Sequence, residues 1–485
     1  MPKKSKKNKT KSKKSQSKPK KKKLSRASKK SKPHFYNVFK SKQEEGLEME
    51  IKKQDYKILR GMRDILSDEW RYWDYFLSKA ESLAKDYGYK RIETPVLENL
   101  SLFERSTGLS SDVVSKQMYT FRDKSGEKIC LRPEITPSIV RAYIEKGLFQ
   151  QSQPVKLYYF GPIFRYERPQ KGRYRQFYQF GLEVIGASRP TIDAEIILFS
   201  KILFESLGLK VNFQINSIGC LECRKNYRQE LLKFLRKKRK ALCPDCQRRI
   251  SVNPLRVLDC KNKNCQEILS SAPQIVDYLC EDCYKHFVKV LEYLDAAGMV
   301  YNLNPFLVRG LDYYTRTVFE IFPEKTIDNS EDEQIGLSPD ISLGGGGRYD
   351  NLVGLFSSRN VPACGVAYGV DRIVEELKIQ KPSLSKERKI DIYLAQIGDR
   401  ACRRVFSLFE ELRQNNLKCF MNLGKESLRA QLDQANSLGV KYVLILGDQE
   451  MKEDTIIVRN MVSGVQEVIS QDKLVNYLKA ALSSR

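Results

Sequence analysis

Residues 156–186 constrain the fold most, because polar and apolar side chains alternate over two strand-length runs joined by a short loop. Successive side chains of a β-strand point to opposite faces of the sheet. On the second run we expect one face to pack in a core: Tyr178, Phe180, Leu182 and Val184. The other face of the two runs carries polar side chains: Arg165, Gln179 and Glu183. We predict two neighbouring strands whose polar face surrounds a space left open by Gly161 and Gly181.

A solvent-exposed sheet face would show the same alternation, so the pattern alone does not establish a ligand site. The loop between the runs favours a ligand. It crowds four cationic side chains into a short turn, where they repel one another unless a polyanion binds: Arg168, Lys171, Arg173 and Arg175.

The chain has 485 residues, which predicts two or three domains. Residues 1–56 precede the folded part, residues 57–385 hold the alternating pattern, and residues 386–485 follow a breaker rich in Lys, Pro and Ser. Within the second range, residues 220–300 are rich in charge and cysteine and predict a helical insertion. The sequence lacks a run of about 18 apolar residues, so we expect a soluble protein without a membrane span.

Helix and strand signals bracket the predicted core. A helix is expected to start at Ser67 and end by Gly88, with six apolar residues at helical spacing: Trp70, Trp73, Leu77, Ala80, Leu83 and Ala84. The segment YKRIETPVLE predicts a short edge or interface strand, since Pro95 has no N–H to donate. In residues 386–485, four strand-like runs alternate with helical stretches over 400–415 and 425–438, which predicts a small parallel α/β domain.

The N-terminal segment dominates the net charge of +27. Residues 1–43 hold 19 Lys and Arg and no Asp or Glu, which leaves 27 − 19 = +8 for the rest of the chain. So few apolar residues cannot offset the entropy of ordering, and we expect disorder there. The segment is either an RNA-attracting tail, acting through counterion release, or a solvated tail that aids solubility.

Eight of the twelve cysteines lie between residues 220 and 283, in three CxxC pairs and one looser pair. CxxC is the spacing of tetrahedral thiolate zinc sites, so we expect either a structural zinc or reduced, partly buried thiols. His286 is a distant further candidate ligand. We name one four-ligand grouping, although the sequence does not determine which cysteines associate: Cys243, Cys246, Cys280 and Cys283.

Four segments together resemble one enzyme family. FRYERPQKGRYRQFYQFGLEVIG is similar to motif 2 of the class II aminoacyl-tRNA synthetases, in the form of the histidyl-tRNA synthetases. GYKRIETPVLE resembles motif 1, and CGVAYGVDRIVEEL resembles motif 3. VRGLDYYTRTVFEIF resembles the histidine-specific motif, with LGGGGRYDNLVG as its glycine-rich neighbour. The resemblance runs from about Lys57 to the C-terminus, in the order of the family.

The resemblance implies an α+β fold: an antiparallel sheet flanked by helices, a helical insertion and a C-terminal α/β anticodon-binding domain. It also implies a reaction in which histidine attacks the α-phosphate of ATP, giving histidyl-adenylate that is transferred to the 3′ end of tRNA(His). Mg²⁺, a homodimer and the cytoplasm are implied with it. No Walker-type GxxxxGK[ST] loop occurs, so the ATP site must be built another way.

The resemblance also assigns residues. Arg165 would hold the α-phosphate, Arg372 the far phosphates of a bent ATP, and Arg309 would stabilise the α-phosphate during attack. Glu134 and Thr136 would hold the amino group of histidine. The side-chain pocket would be formed by four residues: Gln179, Glu183, Tyr313 and Tyr314. Gln170, in the motif 2 loop, would contact the acceptor end of the tRNA.

Purely structural roles remain possible for several of these side chains. Glu134 would form a structural ion pair with Arg132, Arg372 would pair with Glu375 or Glu376, and the tyrosines would be core. Two other functions stay open for the chain: a regulatory paralogue that binds a histidine-pathway transferase, and a purely RNA-binding protein. The presence of all three arginines and of a complete C-terminal domain argues against the paralogue.

Overall fold

The computed structural model describes residues 56–483, except 109, 110, 112, 325–340, 382, 383, 385–389, 423, 425 and 426. The tail expected over residues 1–43 lies outside the described residues. By internal contacts the chain divides into two units, Met1–Lys57 and Ile58–Arg485, and the fold described here belongs to the second.

The strands form three sheets. In chain order they are β1 Lys90–Arg91, β2 Leu97–Asn99, β3 Thr120–Arg122, β4 Lys128–Leu131, β5 Val155–Phe164, β6 Gln176–Ile185, β7 Val211–Ser217, β8 Asn302–Leu303, β9 Thr315–Pro323, β10 Gly344–Arg348, β11 Ala363–Gly369, β12 Ile392–Gln396, β13 Cys419–Met421, β14 Tyr442–Leu446, β15 Thr455–Asn460 and β16 Gln466–Ser470.

The helices are α1 Ser67–Asp86, α2 Leu100–Thr107, α3 Thr136–Glu145, α4 Pro190–Leu207, α5 Leu221–Lys238, α6 Pro244–Val252, α7 Lys263–Leu269, α8 Glu281–Ala296, α9 Leu352–Phe356, α10 Val370–Gln380, α11 Asp399–Gln414, α12 Leu428–Leu438, α13 Asp448–Glu453 and α14 Leu474–Ser483. None of these helices combines the length and the apolar character that crossing a bilayer requires.

The largest sheet has eight strands in the order β1-β5-β6-β11-β10-β9-β7-β8. Its inner strands are antiparallel, and only the edge pairs β1–β5 and β7–β8 are parallel. Strands β5 and β6 pair over their full length, with Gly161 opposite Gln179 and Tyr159 opposite Gly181. The antiparallel α+β fold predicted from the sequence is therefore confirmed.

One face of this sheet is covered by α1, α4, α8 and α10. The apolar side of β6 packs there as predicted, with Phe180 edge-on to Phe76 of α1 at 6.0 Å between ring centres. Helix α1 begins at Ser67, as predicted, but its buried stripe is centred on Trp73 and Phe76. Trp70 was expected in that stripe and is instead 40% exposed, because it lies in the first turn, beyond the packed part of the helix.

The segment predicted as one strand around Pro95 is divided into β1 and β2. The main-chain carbonyl of Thr94 accepts a hydrogen bond of 2.7 Å from the guanidinium of Arg132, and that of Pro95 accepts one of 3.4 Å. Carbonyls directed at a side chain do not join a sheet ladder, and proline has no N–H to offer one. The strand is interrupted there for that reason. Strand β2 then joins a small sheet in the order β2-β4-β3.

The opposite face of the large sheet packs against α3, α9 and the helical insertion formed by α5, α6 and α7. The insertion is helical, as the composition of residues 220–300 indicated. Its last helix, α8, packs with the helices on the other face through Phe287, Val290 and Leu294. The chain of the insertion therefore passes from one face of the sheet to the other.

The C-terminal part holds a five-stranded sheet in the order β13-β12-β14-β15-β16. The predicted strands and helices are present, but the expectation of a parallel sheet was wrong for its second half. Strand β15 runs antiparallel to β14, and β16 antiparallel to β15. The physical reason is the connection: α13 has six residues, too few for the crossover that a parallel pair needs.

Candidate functional site

A cavity of about 890 Å³ opens on the polar side of β6, between the sheet and the insertion. Eight of the ten predicted substrate-contacting side chains line it: Glu134, Thr136, Arg165, Gln179, Arg309, Tyr313, Tyr314 and Arg372. They come from separate parts of the chain, which the antiparallel sheet brings together. A cavity of this volume is large enough for a nucleotide beside an amino acid.

Two arginines line the end of the cavity near the motif 2 loop. Arg165 follows β5, and its Nε donates to the carbonyl of Pro133 at 2.9 Å. Arg372, in the first turn of α10, donates from Nε to the carbonyl of Gly172 at 2.9 Å and from Nη1 to that of Ser342 at 2.6 Å. These acceptors are neutral, so they orient both guanidinium groups without cancelling their charge.

The charge of Arg372 is costly in this position. Burial, with the positive charge of Arg173 nearby, lowers the pKa of Arg372 to about 10. The alternative pairing with Glu375 or Glu376 does not occur among its hydrogen bonds, which go to main-chain carbonyls. A partly buried cation held by neutral carbonyls beside other cations favours binding of an anion.

Arg309 is paired with Glu320, a carboxylate that the sequence reasoning missed. The Arg309 guanidinium donates to Glu320 of β9 and lies over the ring of Tyr314, 5.3 Å from its centre. Burial raises the pKa of Glu320, although the charge of Arg309 opposes that shift. The period-2 alternation of β9 was the signal that could have identified Glu320, since the neighbouring Phe319 and Ile321 are buried on the other face.

The glycine run on β10 makes room for Arg309. A Cβ atom on Gly345 would lie 2.7 Å from Nη1 of Arg309 and 2.6 Å from the carbonyl oxygen of Phe319. Both distances are too short for real contacts, so only glycine allows the guanidinium to lie against this strand.

A buried carboxylate lies at the other end of the cavity. Glu134, 4% exposed, accepts hydrogen bonds from Thr107 Oγ1 at 2.9 Å and from the Tyr313 hydroxyl at 2.6 Å. The suggested ion pair with Arg132 is not formed: the Arg132 guanidinium donates to main-chain carbonyls and to Thr94. Burial raises the pKa of Glu134 despite these two donors.

Glu183 occupies a different position from the one expected. It does not line the cavity, and its side chain is folded behind the wall, where Thr136 Oγ1 donates to it at 2.6 Å and the Tyr349 hydroxyl donates to its other oxygen. Burial raises the pKa of Glu183 to about 8, and the nearby Glu134 charge adds to that shift. Thr136 therefore stands between Glu183 and the cavity.

The two glycines of the hairpin leave room for the protein's own side chains. A Cβ on Gly161 would lie 2.4 Å from an Arg132 Nη2 atom, and one on Gly181 would lie 2.3 Å from the hydroxyl oxygen of Tyr159. The expectation that this space admits a ligand was wrong at these two positions. Arg132 and Tyr159 came from segments that the strand pattern does not connect to the glycines.

Gln170 lies on the exposed tip of the motif 2 loop and does not line the cavity. The loop closes through two main-chain hydrogen bonds between Gln170 and Arg173, the shorter of which is 2.8 Å. Arg173 and Tyr174, further along the loop, do reach the cavity wall. Part of the cationic loop therefore faces the cavity and its tip faces solvent.

The cysteines group differently from the set we named. Cys243 and Cys246 lie with Cys260 and Cys265, whereas the CxxC pairs at 220–223 and 280–283 form a second cluster. The sequence could not give this grouping, because it depends on how helices α5 to α8 fold back on one another. His286 belongs to neither cluster, since its ring nitrogens face Asp193 and Arg316.

Comparisons with known proteins place most of the chain in two family models. Residues 61–373 match the model described as histidyl-tRNA synthetase, and residues 391–481 match the model described as anticodon binding domain. Residues 1–60 fall outside both models.

Curated relatives match this chain over nearly their whole length, and their names agree with the first family model. The histidine–tRNA ligase of Thermodesulfovibrio yellowstonii is 43% identical over 425 residues, which cover 87% of this chain and 98% of the relative. The histidine–tRNA ligase of Staphylococcus aureus strain JH9 is 41% identical over 426 residues, with 87% and 99% covered.

Solved structures share the fold. The apo histidyl-tRNA synthetase of S. aureus superposes with a TM-score of 0.71 at 36% identity, covering 87% of this chain and all of that one. A Bacillus halodurans structure titled ATP phosphoribosyltransferase regulatory subunit/histidyl-tRNA synthetase has a TM-score of 0.58 at 21% identity, covering 82% and 99%. At that identity the likeness concerns the fold alone.

Proposed function

The chain belongs to the histidyl-tRNA synthetase family. We propose that its cavity binds ATP and L-histidine side by side, with some lining residues binding the phosphates and others binding the amino acid. The reaction is the ATP-dependent ligation of histidine to tRNA. In its first step the histidine carboxylate attacks the α-phosphate and pyrophosphate leaves. In its second a hydroxyl at the 3′ end of the tRNA attacks the histidyl carbonyl and AMP leaves. The regulatory-paralogue alternative has less support, since the relatives that match at 40–43% identity are ligases.

The arginines would act on the phosphates. Negative charge increases around the α-phosphate during attack, and preorganised cations stabilise it without moving. Arg165 would hold the α-phosphate, Arg309 would stabilise it during attack, and Arg372 would bind the far phosphates. The neutral hydrogen-bond partners of Arg165 and Arg372 support these roles, because both charges stay available to an anion.

The end of the cavity at Glu134 would bind histidine. Glu134 and Thr136 would hold the ammonium group, and Gln179 would contact the side chain of histidine, with Tyr313 and Tyr314 lining the pocket. Glu183 would act on the imidazole only if its side chain turned into the cavity; as it stands it would act through Thr136. Buried polar groups left unpaired by an apolar amino acid discriminate by roughly 10⁴-fold or more, which explains rejection of leucine or phenylalanine.

Other participants are part of the same proposal. Mg²⁺ would accompany the ATP phosphates, where Glu167 and Glu320 are among the cavity carboxylates that suit it. The C-terminal sheet would bind the anticodon of tRNA(His), and Gln170 its acceptor end. We expect a homodimer in the cytoplasm; exposed Leu97 and Phe121, on strands of the small sheet, support a partner surface, and molar mass in solution tests it.

The basic tail would add electrostatic attraction for RNA. Deleting residues 1–43 removes 19 cationic side chains, so tRNA affinity should fall and its dependence on salt should flatten. An unchanged salt slope for the shortened chain would leave the tail with a solubility role only.

The observation that carries the proposal is the meeting of Arg165, Arg309 and Glu134 around one cavity. Histidine-dependent exchange of pyrophosphate into ATP tests it directly. Glu134→Gln keeps the shape and removes the charge, so exchange should fall by roughly 10²-fold while ATP binding persists. Glu183→Ala should abolish exchange as well, and Glu104→Gln, outside the cavity lining, is the matched control. Full exchange by both the Glu134 and the Glu183 variants would refute the assignment.

A further inference from the structure

Eight cysteines of the insertion form two separate clusters of four. We call them the inner cluster, made of Cys243, Cys246, Cys260 and Cys265, and the outer cluster, made of Cys220, Cys223, Cys280 and Cys283. Within each cluster all four sulfur atoms lie within 4.8 Å of one another. Three members of the inner cluster and two of the outer cluster are buried.

The sulfur spacing suits one metal ion per cluster. Four sulfurs at about 2.3 Å from a tetrahedral zinc lie roughly 3.8 Å apart. The sulfurs of Cys243 and Cys260 are 3.8 Å apart, and those of Cys220 and Cys223 are 3.5 Å apart. A disulfide needs about 2.05 Å, and all these cysteines are free. A tetrahedral set of four thiolates is typical of zinc or iron.

The backbone around each cluster also favours thiolates. The N–H of Cys243 donates to the sulfur of Cys265 at 3.2 Å, and the N–H of Cys280 donates to the sulfur of Cys223 at 3.1 Å. Cys220, Cys243 and Cys280 each directly precede a helix: α5, α6 and α8. Donated N–H groups and the positive end of a helix stabilise negative charge on sulfur, which metal coordination requires.

Both clusters lead to Asp312, which does not line the cavity itself but lies between two residues that do, Leu311 and Tyr313. Helix α6 starts at the inner cluster and ends before Asn253, whose side-chain amide donates to the Asp312 carboxylate at 3.0 Å. Arg224, directly after Cys223 of the outer cluster, donates to the main-chain carbonyl of Asp312 at 3.3 Å. Asp312 lies between Arg309 and Tyr313 in sequence, so both clusters hold the segment that carries these cavity residues.

The inner cluster is also part of the cavity wall. Cys243 and Cys260 line the cavity, together with Lys261, Arg249 and Arg256 of the segment that the cluster encloses. Residues 243–265 therefore form a loop whose two ends meet at the cluster and whose middle faces Arg309 and Asp312. A metal that closes such a loop fixes its middle, because it removes the alternative conformations of the chain.

We propose that each cluster binds one zinc ion and that the two ions together hold the insertion against Asp312, so that Tyr313 is positioned to donate to Glu134. Asn253 and Arg224 are positioning residues in this scheme. The zinc sites stand on the cysteines alone, whereas the effect on histidine binding rests on the proposed function of the cavity.

Metal content of the full-length protein tests the sites independently of activity. Protein purified under reducing conditions should contain two zinc per chain by elemental analysis, and Cys246→Ser and Cys283→Ser should each retain one. Cys402→Ser, an exposed cysteine of α11, is the matched control and should retain two. No zinc in the wild type after reconstitution would overturn the proposal, and so would iron in its place or a single zinc that both variants lose together.

Cobalt substitution covers the case in which a serine variant does not fold. Wild-type protein reconstituted with Co²⁺ should bind two equivalents, with strong thiolate-to-cobalt charge-transfer absorption and the visible bands of tetrahedral cobalt. Weak octahedral bands, or binding of no cobalt, would contradict four-thiolate sites without any mutation.

The positioning role has its own pair of variants. Asn253→Ala removes the donor to Asp312 and should raise KM for histidine about fivefold, the factor that corresponds to about 1 kcal/mol, with KM for ATP and zinc content unchanged. Asn264→Ala, whose exposed amide donates to the Ala241 carbonyl at 3.1 Å, is the control within the same loop. Equal kinetics for both variants, with two zinc bound, would refute the coupling and leave the metal sites and the proposed function standing.

Discussion

The two faces of the eight-stranded sheet are built on opposite principles. On the helix-covered face, β6 contributes Phe180, Leu182 and Val184 to an apolar core. On the cavity face, the same strand contributes Gln179 to the lining and Glu183 behind Thr136, near the buried Glu134 and partly buried guanidinium groups. Burial of apolar surface on one face stabilises the folded protein, whereas burial of polar groups on the other face destabilises it.

The difference shows where this chain gives up stability for function. The pKa values of Glu134, Glu183 and Glu320 are all raised by burial, and that of Arg372 is lowered by it. Such shifts mean that the charged forms are destabilised in the folded protein. The apolar face must offset that cost, so variants of the two faces should affect different measurements.

Removal of an aromatic ring from the apolar face should give the largest effect, on stability. Phe76→Ala leaves a cavity beside Phe180 in a fully buried position, and the free energy of unfolding should fall by about 3–5 kcal/mol. Denaturant unfolding of the full-length protein measures this. Trp70→Ala, on the same helix but 40% exposed, should change it much less. Similar losses for both variants would show that the packing of α1 on the sheet is not what stabilises this face.

Removal of a cation from the cavity face should give the next largest effect, on activity. Arg309→Ala should lower kcat for pyrophosphate exchange by roughly 10²–10³-fold, as loss of one preorganised donor does elsewhere. Its thermal unfolding midpoint should shift little, because burial raises the pKa of Glu320 and so eases its protonation once the cation is removed. Arg359→Ala, exposed and stacked on Phe149, should keep full activity. A collapse in stability for Arg309→Ala alone would mean that the arginine serves the fold.

Neutralising Glu183 should change stability by an amount that depends on pH. The folded protein keeps a proton on Glu183 up to about pH 8, whereas the unfolded chain releases it near the usual pKa of 4.5. The free energy of unfolding of the wild type should therefore fall as pH rises through this window, by at most about 1.4 kcal/mol per unit. Glu183→Gln has no such proton, so its stability advantage should grow with pH and level off above it. Thermal unfolding of both proteins across the window measures the difference, and a constant difference would contradict the raised pKa.

The fold was predictable from the sequence wherever apolar residues recur at a regular spacing over neighbouring positions. The alternation over residues 156–186 identified the apolar side of β6, and the residues around Ser67 identified the start of α1. Trp70 was misplaced because helical spacing gives a stripe but not where along it the packing ends. The direction of β15 was misjudged because direction depends on the length of the connection, which the strand pattern does not contain.

The sequence predicted which residues belong to the site but not how they are arranged. The motifs supplied Arg165, Arg309 and Arg372, and the structure brings all three to one cavity. Their partners were not predictable: Glu320 beside Arg309, or Arg132 in the space over Gly161. Those contacts join residues far apart in the chain, and periodicity describes only neighbours.

The sequence by itself determined the chemistry present: which residues alternate on a strand, which cations crowd a loop, and how many thiols the insertion carries. These are local properties, set by covalent spacing and side-chain type. Only the tertiary structure decided which groups meet, from the pairing of the cysteine pairs into two clusters to the position of Glu183 behind Thr136. The physical reason is that burial and hydrogen bonding across the whole fold determine which distant residues come into contact, because buried polar groups favour partners and core side chains pack closely.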